Sequence, residues 1–269
     1  NGSLNRSKVF IKRWDMFKET MPHMRSPFSK RSWGNGLHSV CSYQGKMKPA
    51  LANFLVNSFT DKGDLVLDPF SGSGTIPFEA ALTGRRSLGL DIGGLATSLS
   101  NAKLMNHSKK ETLLIVDKLA DYILNNKPSD KTLKDTDDIK FNKTIPEYFH
   151  PDTLNEIMLA RDFFIDRHDP ENGNWSLVFS CLLHILHGNR PYALSRNSHP
   201  ITPYAPTGEF VYKNLVEHLL KKVNKSLDTD RGKAFIRGVC YQCDILESWP
   251  KNITSVDAII TSPPFFDST

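Results

Sequence analysis

A chain of 269 residues, 39% hydrophobic and 23% charged, can bury a sizeable core and has the composition of an ordinary globular protein. No apolar run approaches the roughly 20 residues of a membrane span, and the N-terminus lacks the apolar core of a signal peptide, so the chain reads as cytoplasmic, or at least intracellular, with no membrane partner. The four cysteines, Cys41, Cys181, Cys240 and Cys243, are too few and too scattered for a disulfide framework; Cys240-x-x-Cys243 lacks a second Cys/His pair at ligand spacing, so the thiols read as structural and no metal site is expected.

The net charge of +5 is modest but uneven. Through Lys48, ten lysines and arginines face only Asp15 and Glu19. Such a basic arm neutralises phosphates and releases counterions, giving affinity for nucleic acid without sequence preference; from charge alone a solvated surface is an equal reading. Phe10, Trp14, Phe17, Phe28 and Trp33 follow no sustained period, so residues 1–40 are expected as short elements draped over a core. Residues 39–49 then lead into a helix over 50–56, started by Pro49.

The next stretch, Asp64-Leu-Val-Leu-Asp68-Pro-Phe-Ser-Gly72-Ser-Gly74-Thr75, predicts a buried strand that runs into a glycine turn and opens a helix. Gly72 and Gly74 let the backbone turn tightly and approach a ligand closely. Apolar residues recur at helical spacing over 76–82, Arg85 and Arg86 suit the end of that helix after Gly84, and residues 87–92 predict a second strand ending at the acid Asp91. Strand, glycine turn, helix, strand and carboxylate form one nucleotide-binding unit, with Asp91 placed for ribose hydroxyls. A third glycine of the dinucleotide type is absent, since Pro77 stands there, and so is a Gly-Lys-Ser/Thr phosphate loop.

Residues 93–104 read as the next helix. The stretch up to about residue 230 exceeds what a strand-to-strand crossover needs, so it reads as a helical insertion: helices over 111–125, from Asp152 and over 175–186, and a polar tract over 127–143 that predicts a mobile loop. Within it, Gly188-Asn-Arg190-Pro-Tyr192-Ala-Leu-Ser195-Arg196-Asn-Ser198-His199-Pro200 is broken by prolines and dense in groups that contact phosphates or base edges. Arg190, Tyr192, Arg196 and His199 are therefore candidate nucleic-acid ligands; a rigid connection between helices is the other reading. A third strand is expected within 234–247 and a fourth, buried, within 255–260, which delivers Thr261-Ser262-Pro263-Pro264-Phe265 to its carboxyl end.

Two of these stretches carry a resemblance. Asp68-Pro69-Phe70-x-Gly72-x-Gly74-Thr75 resembles motif I of the amino-methylating DNA methyltransferases, and Thr261-Ser262-Pro263-Pro264-Phe265 resembles their catalytic Ser-Pro-Pro-aromatic motif. Together the two are far more specific than either alone. The resemblance implies S-adenosyl-L-methionine as cofactor, bound by Asp68, Pro69, Phe70, Gly72, Gly74 and Thr75, with Asp68 near its positively charged methionine end. It places the adenine near Asp91 and Ile92, and gives its amino group to Asp244, although Cys243 stands where the family usually has glycine. Gln44 and Lys48, with Gly45 to Met47 intervening, loosely match the family's motif X at the methionine end.

Ser262 and Pro263 would hold an exocyclic amino group, Pro264 would stiffen the loop, and Phe265 would stack on a base flipped out of double-stranded DNA. Within the family that the chain resembles, a Ser-Pro-Pro-Tyr/Phe motif is more often linked to cytosine N4 than to adenine N6, so Ser262 with Phe265 implies cytosine N4 as the acceptor. Adenine N6 is an alternative, and so is guanine N2 of tRNA, whose enzymes commonly carry an N-terminal RNA-binding module. The implied fold is a Rossmann-like α/β sheet of S-adenosylmethionine-dependent type. Its parts are a basic arm with the motif X-like segment (1–48), the cofactor-binding half (49–104), the helical insertion for target recognition (105–230), and the third and fourth strands with the catalytic motif (231–269). The family sheet has seven strands and only strands 1 to 4 are recognisable, so the chain is expected to be a fragment, or one half of a split enzyme whose sheet a second chain or self-association completes, or to continue in further residues. A cofactor- or DNA-binding half that cannot methylate alone is the competing reading.

Overall fold

The computed structural model describes residues 2–30, 32–129, 132, 134, 142–188, 192–197, 205–247, 249–250 and 253–264. The chain divides into two compact units, one from residues 1–39, 43–106 and 229–269, the other from 40–42 and 107–228. No helix among the described residues is long and apolar enough to cross a membrane.

The first unit is a Rossmann-like α/β layer. Its four strands, β1 (Leu65–Asp68), β2 (Arg86–Asp91), β3 (Val239–Gln242) and β4 (Ala258–Ile259), pair in parallel in the order β3-β2-β1-β4. Leu67 of β1 faces Leu88 of β2 on one side and Ile259 of β4 on the other. The chain thus leaves β1 in one direction for β2 and β3, and β4 lies on β1's opposite side. Such a reversal of strand order opens a crevice at the carboxyl ends of the strands.

Around the sheet lie α1 (Gly2–Thr20), α2 (Pro49–Phe59), α3 (Thr75–Leu82) and α4 (Gly94–Leu104). Ala52 and Val56 of α2, Val66 of β1, and Ile76 and Ala80 of α3 form one core cluster; Leu37, Phe78, Ala81, Leu104 and Cys240 form another. α3 is buried on nearly every side, Glu79 included, because α2 packs on one flank and the sheet on the other. Asn101 of α4 fastens β3: its amide nitrogen donates to the Cys240 carbonyl at 2.8 Å and its amide oxygen accepts from the Cys240 N–H at 2.8 Å, in a fully buried setting.

Four expectations change. The N-terminal residues form one 19-residue helix rather than short pieces, anchored where Phe10, Trp14 and Phe17 meet Phe59 of α2. The third strand is confined to four residues, because the backbone is held by β2 and Asn101 only near Cys240. β4 is short and lies at the sheet edge among the described residues, with Ile259 58% exposed, rather than being buried on both faces. Finally, of the two arginines only Arg85 meets the end of α3. Arg85 is buried and donates to the Thr60 carbonyl at 2.9 Å, the Thr83 carbonyl at 2.8 Å and Asn57 Oδ1 at 2.9 Å, tying the ends of α2 and α3 together, and Arg86 begins β2.

The second unit contains α5 (Lys109–Asn125), α6 (Pro151–Arg167), α7 (Gly173–Leu186) and α8 (Leu215–Leu227). Ser108, Asn172 and Asn214 cap α5, α7 and α8 by accepting from backbone N–H groups of the first turns. Leu154, Phe163 and Phe164 of α6 are buried, with Trp175 of α7 stacked on Phe163 at 5.8 Å between ring centroids. α8 was not anticipated, although Leu215, Leu219, Lys222, Val223 and Ser226 share a buried face at helical spacing. Most of the expected mobile loop over 127–143 lies outside the described residues.

Candidate active site

Five segments of the first unit converge on a cleft of about 790 Å³ at the carboxyl ends of the strands. β1 and its glycine turn contribute Asp68 to Ser73, then Thr75 and Ile76; β2 contributes Asp91 and Ile92. The chain after β3 contributes Cys243 to Leu246, the chain after β4 contributes Ser262, Pro263 and Pro264, and residues 43–47 form a strap across the cleft.

The glycine turn has this shape for steric reasons. Gly74 has φ 72°, and a Cβ there would stand 2.9 Å from Ser100 Cα. Only glycine combines that backbone conformation with so close a helix. Gly72, with φ +50°, donates its N–H to Asp91 Oδ2 at 2.8 Å, while Asp91 Oδ1 accepts from Gly93 N at 2.9 Å. Asp91 therefore holds the turn, and each oxygen keeps a lone pair for a ligand. Ile92 beside it is 68% exposed and Phe70 is 38% exposed, so apolar surface borders the acid.

Asp68 is the most perturbed carboxyl of the cleft. It is 2% exposed, and burial, with a smaller push from Asp91, raises it to about 6 against hydrogen bonds that favour its ionised form. Those bonds come from Thr261 Oγ1 at 2.6 Å and Phe70 N at 3.2 Å, and both end on Oδ1. The first of them joins the end of β1 to the residue before Ser262. Asp244 Oδ1 accepts from Leu246 N at 2.9 Å, shaping the turn that follows β3.

Most of the sequence-derived candidates meet here. Asp68, Pro69, Phe70, Gly72, Thr75, Asp91, Ile92, Asp244, Gln44, Ser262, Pro263 and Pro264 all line the cleft. Gly74 does not; it sits behind the turn and caps α3. Lys48 is also outside the lining, at the N-cap of α2, and Lys46 is in the cleft instead. Phe265, Arg190 and His199 lie outside the described residues. Tyr43, Lys46 and Thr261 were missed; Thr261 is a hydroxyl directly before the Ser-Pro-Pro run, which was the available signal.

The two remaining nucleic-acid candidates belong to the second unit and are engaged within it. Tyr192 OH lies 3.2 Å from His184 Nε2, with Lys222 Nζ 5.7 Å from the ring centroid. The Arg196 guanidinium donates to the Gly208 carbonyl at 2.6 Å and the Glu147 carbonyl at 3.2 Å and covers the Phe210 ring at 4.2 Å. In this arrangement Arg196 fixes its own loop.

Fold and cleft together define a domain with a Rossmann-like methyltransferase fold. Residues 4–101 match the family model described as DNA methylase, of the N6/N4 type. The chain is 29% identical over 113 residues to the type II methyltransferase M.MjaII of Methanocaldococcus jannaschii, covering 42% of this chain and 21% of that protein. It is 40% identical over 77 residues to a tRNA (guanine(10)-N2)-dimethyltransferase of Methanothermobacter thermautotrophicus, covering 28% of this chain and 19% of that protein. It is 39% identical over 57 residues to the orphan methyltransferase M.BamHII of Bacillus amyloliquefaciens, covering 21% of this chain and 22% of that protein. The matched stretches thus span about a fifth of these relatives' length.

Proposed function

We propose that this chain transfers a methyl group from S-adenosyl-L-methionine to an exocyclic amino nitrogen of a flipped base in double-stranded DNA, with cytosine N4 as the acceptor. The observation that carries this reading is that Asp68, the glycine turn, Asp91 and Asp244 share one cleft with Ser262, Pro263 and Pro264. The residues suit such a cofactor. Asp68 is a buried carboxyl that a cationic ligand would help to ionise. Asp91 retains acceptor capacity for sugar hydroxyls, and exposed Ile92 offers an apolar face beside it.

When bound, the cofactor supplies an electrophilic methyl group on a sulfonium. An exocyclic amino nitrogen is a poor nucleophile because its lone pair is delocalised into the ring. Ser262 Oγ and the Pro263 carbonyl would accept the amino hydrogens, draw the nitrogen towards tetrahedral geometry and aim its lone pair at the methyl. Pro263 and Pro264 stiffen that loop, and the Asp68–Thr261 bond anchors its start. Phe265 would stack on the base, which must leave the duplex to enter the cleft. With the amino group held by Ser262 Oγ and the Pro263 carbonyl, its nitrogen would take the methyl group that the bound cofactor supplies and would give up one proton to solvent. Loss of the carbonyl and hydroxyl acceptors would therefore lower the chemical step more than cofactor binding.

The 40% identity to a tRNA guanine-N2 enzyme supports a second reading, in which the acceptor is guanine in tRNA. One experiment separates them: the chain is incubated with labelled S-adenosylmethionine and either unmodified DNA or tRNA, the nucleosides are analysed, and Ser262→Ala is the control. N4-methylcytosine that vanishes with Ser262→Ala is expected; N6-methyladenine or N2-methylguanine would reassign the acceptor. Cofactor binding without transfer would make the chain a binding half, and the exposed edge at Ile259 would be the place to look for a second chain or second copy.

A further inference from the structure

The strap over residues 43–47 lines the cleft, yet neither motif accounts for its aromatic residue, Tyr43. The ring lies against the glycine turn: a Cβ on Gly72 would stand 3.3 Å from Tyr43 Cε1 and 3.9 Å from its phenolic oxygen. Gly72 is the residue whose N–H donates to Asp91. Phenol, Gly72 and Asp91 therefore share one corner of the cleft. Burial, and then the Asp91 carboxylate, push the phenol above its ordinary value, so at neutral pH it is a hydrogen donor beside an acceptor-only acid.

The strap is tied down at its other end. Lys46 Nζ donates to the His38 carbonyl at 2.6 Å. Burial pushes His38 down to about 4, so its ring is neutral at pH 7, and its Nε2 lies 2.6 Å from Glu79 Oε1 in a buried pair. Glu79 Oε2 in turn accepts from Asn53 Nδ2 at 2.8 Å. Glu79 belongs to α3, the helix that the glycine turn opens. Strap and turn are thus two parts of one braced element, which holds Tyr43 over the cleft rather than leaving it as a free surface side chain.

We propose that Tyr43 determines specificity for the nucleoside part of the methyl donor: its ring closes the cleft over the glycine turn, and its phenol donates to a sugar hydroxyl held by Asp91. This rests on reading the cleft as the S-adenosylmethionine site. A ligand without sugar hydroxyls offers the phenol no partner, so the contact discriminates by sugar chemistry as well as by shape.

The test is calorimetric binding of S-adenosylhomocysteine, which needs no acceptor, and of its 2′,3′-dideoxy analogue, to the full chain and to Tyr43→Phe and Tyr43→Ala. Melting temperatures confirm that each variant is folded, and Tyr43→Phe keeps the ring. One lost hydrogen bond predicts about three- to tenfold weaker binding of S-adenosylhomocysteine by Tyr43→Phe, with no change for the dideoxy analogue. Tyr43→Ala should lose about tenfold or more on both ligands. Wild-type affinity in both variants, or an equal loss on both ligands in Tyr43→Phe, overturns the assignment of Tyr43. Failure of the unaltered chain to bind S-adenosylhomocysteine overturns the reading of the cleft itself.

Discussion

Replacing Asp68 with asparagine tests the electrostatics of the cleft without any ligand. Burial raises this carboxyl from 3.8 to about 6. The folded chain therefore binds the proton more tightly than the unfolded chain, so the contribution of Asp68 to stability is greatest below about pH 4, declines through about pH 6 and is least above it. The shift corresponds to roughly 3 kcal/mol. Asparagine cannot ionise, and its amide oxygen can still accept from Thr261 Oγ1, which stands 2.6 Å from Asp68 Oδ1. Its NH₂ adds a cost of about 1–3 kcal/mol if left without a partner, but that cost does not depend on pH. The discriminating quantity is accordingly the difference between Asp68→Asn and the unaltered chain as a function of pH. Urea unfolding of the ligand-free proteins, followed by fluorescence, should show that difference moving by about 2.4 kcal/mol in the variant's favour between pH 4 and pH 8. A constant gap across that range would refute the buried, proton-retaining carboxyl. Under the proposed function the same ionisation governs the cationic donor, whose affinity should fall below about pH 6 in the unaltered chain and not in Asp68→Asn.

Other residues give shorter tests. Asn101→Ala removes both bonds to Cys240 and leaves a buried backbone N–H and carbonyl without those partners, so about 2–4 kcal/mol should be lost in chemical denaturation; a change under about 0.5 kcal/mol would mean that water or a neighbour replaces the amide. Gly74→Ala forces a Cβ to within 2.9 Å of Ser100 Cα at φ 72°, which should cost more than about 2 kcal/mol in stability and abolish donor binding, read by calorimetry. Burial pushes the Cys181 thiol up to about 11 and the Cys240 thiol up to about 12, so at pH 8 iodoacetamide should label Cys41 and Cys243 before either of these, as peptide mass mapping would report. Rapid labelling of Cys240 in the folded chain would contradict the buried β3.

The parts of the fold written in local sequence were legible. The Leu65–Leu67 run, the glycine turn and the acid at Asp91 occupy one continuous stretch, and each is declared by its own residue types, although the close approach that requires Gly74 is to Ser100 of α4. α4 and α7 carry enough apolar residues to declare a helix, and Pro49 marks the start of α2. α1 was not legible because its apolar residues do not form a single stripe: Phe10, Trp14 and Phe17 meet Phe59, Val9, Ile11 and Met16 add further apolar positions, and of these six only Phe17 is buried. The role of Arg85 was hidden for a related reason. An arginine after a helix ordinarily faces solvent and the helix dipole, whereas here three carbonyl or amide oxygens of two helix ends surround it.

The acceptor side of the cleft depends on long-range pairing, and that sets the boundary of what sequence could reveal. Thr261 reaches Asp68 across 193 residues only because β4 pairs beside β1, on the side opposite β2. A motif can name Ser262, Pro263 and Pro264, but the strand order decides that they open onto the same cleft as the glycine turn. The same logic explains the strap. Gln44 and Lys48 follow from the resemblance to motif X, and Gln44 does line the cleft, whereas which lysine enters it depends on how the strap is tied, and the tie runs from Lys46 through His38 to Glu79 of α3. Lys48 is diverted because it begins α2, where its backbone extends at φ −65° and ψ 128° and its carbonyl accepts from Ala52 N. Interchanging the two positions, as Lys46→Ala and Lys48→Ala, therefore separates the tie from the charge. Loss of donor affinity with Lys46→Ala alone would support the braced strap, and equal losses would show that both lysines act only through their field on the ligand.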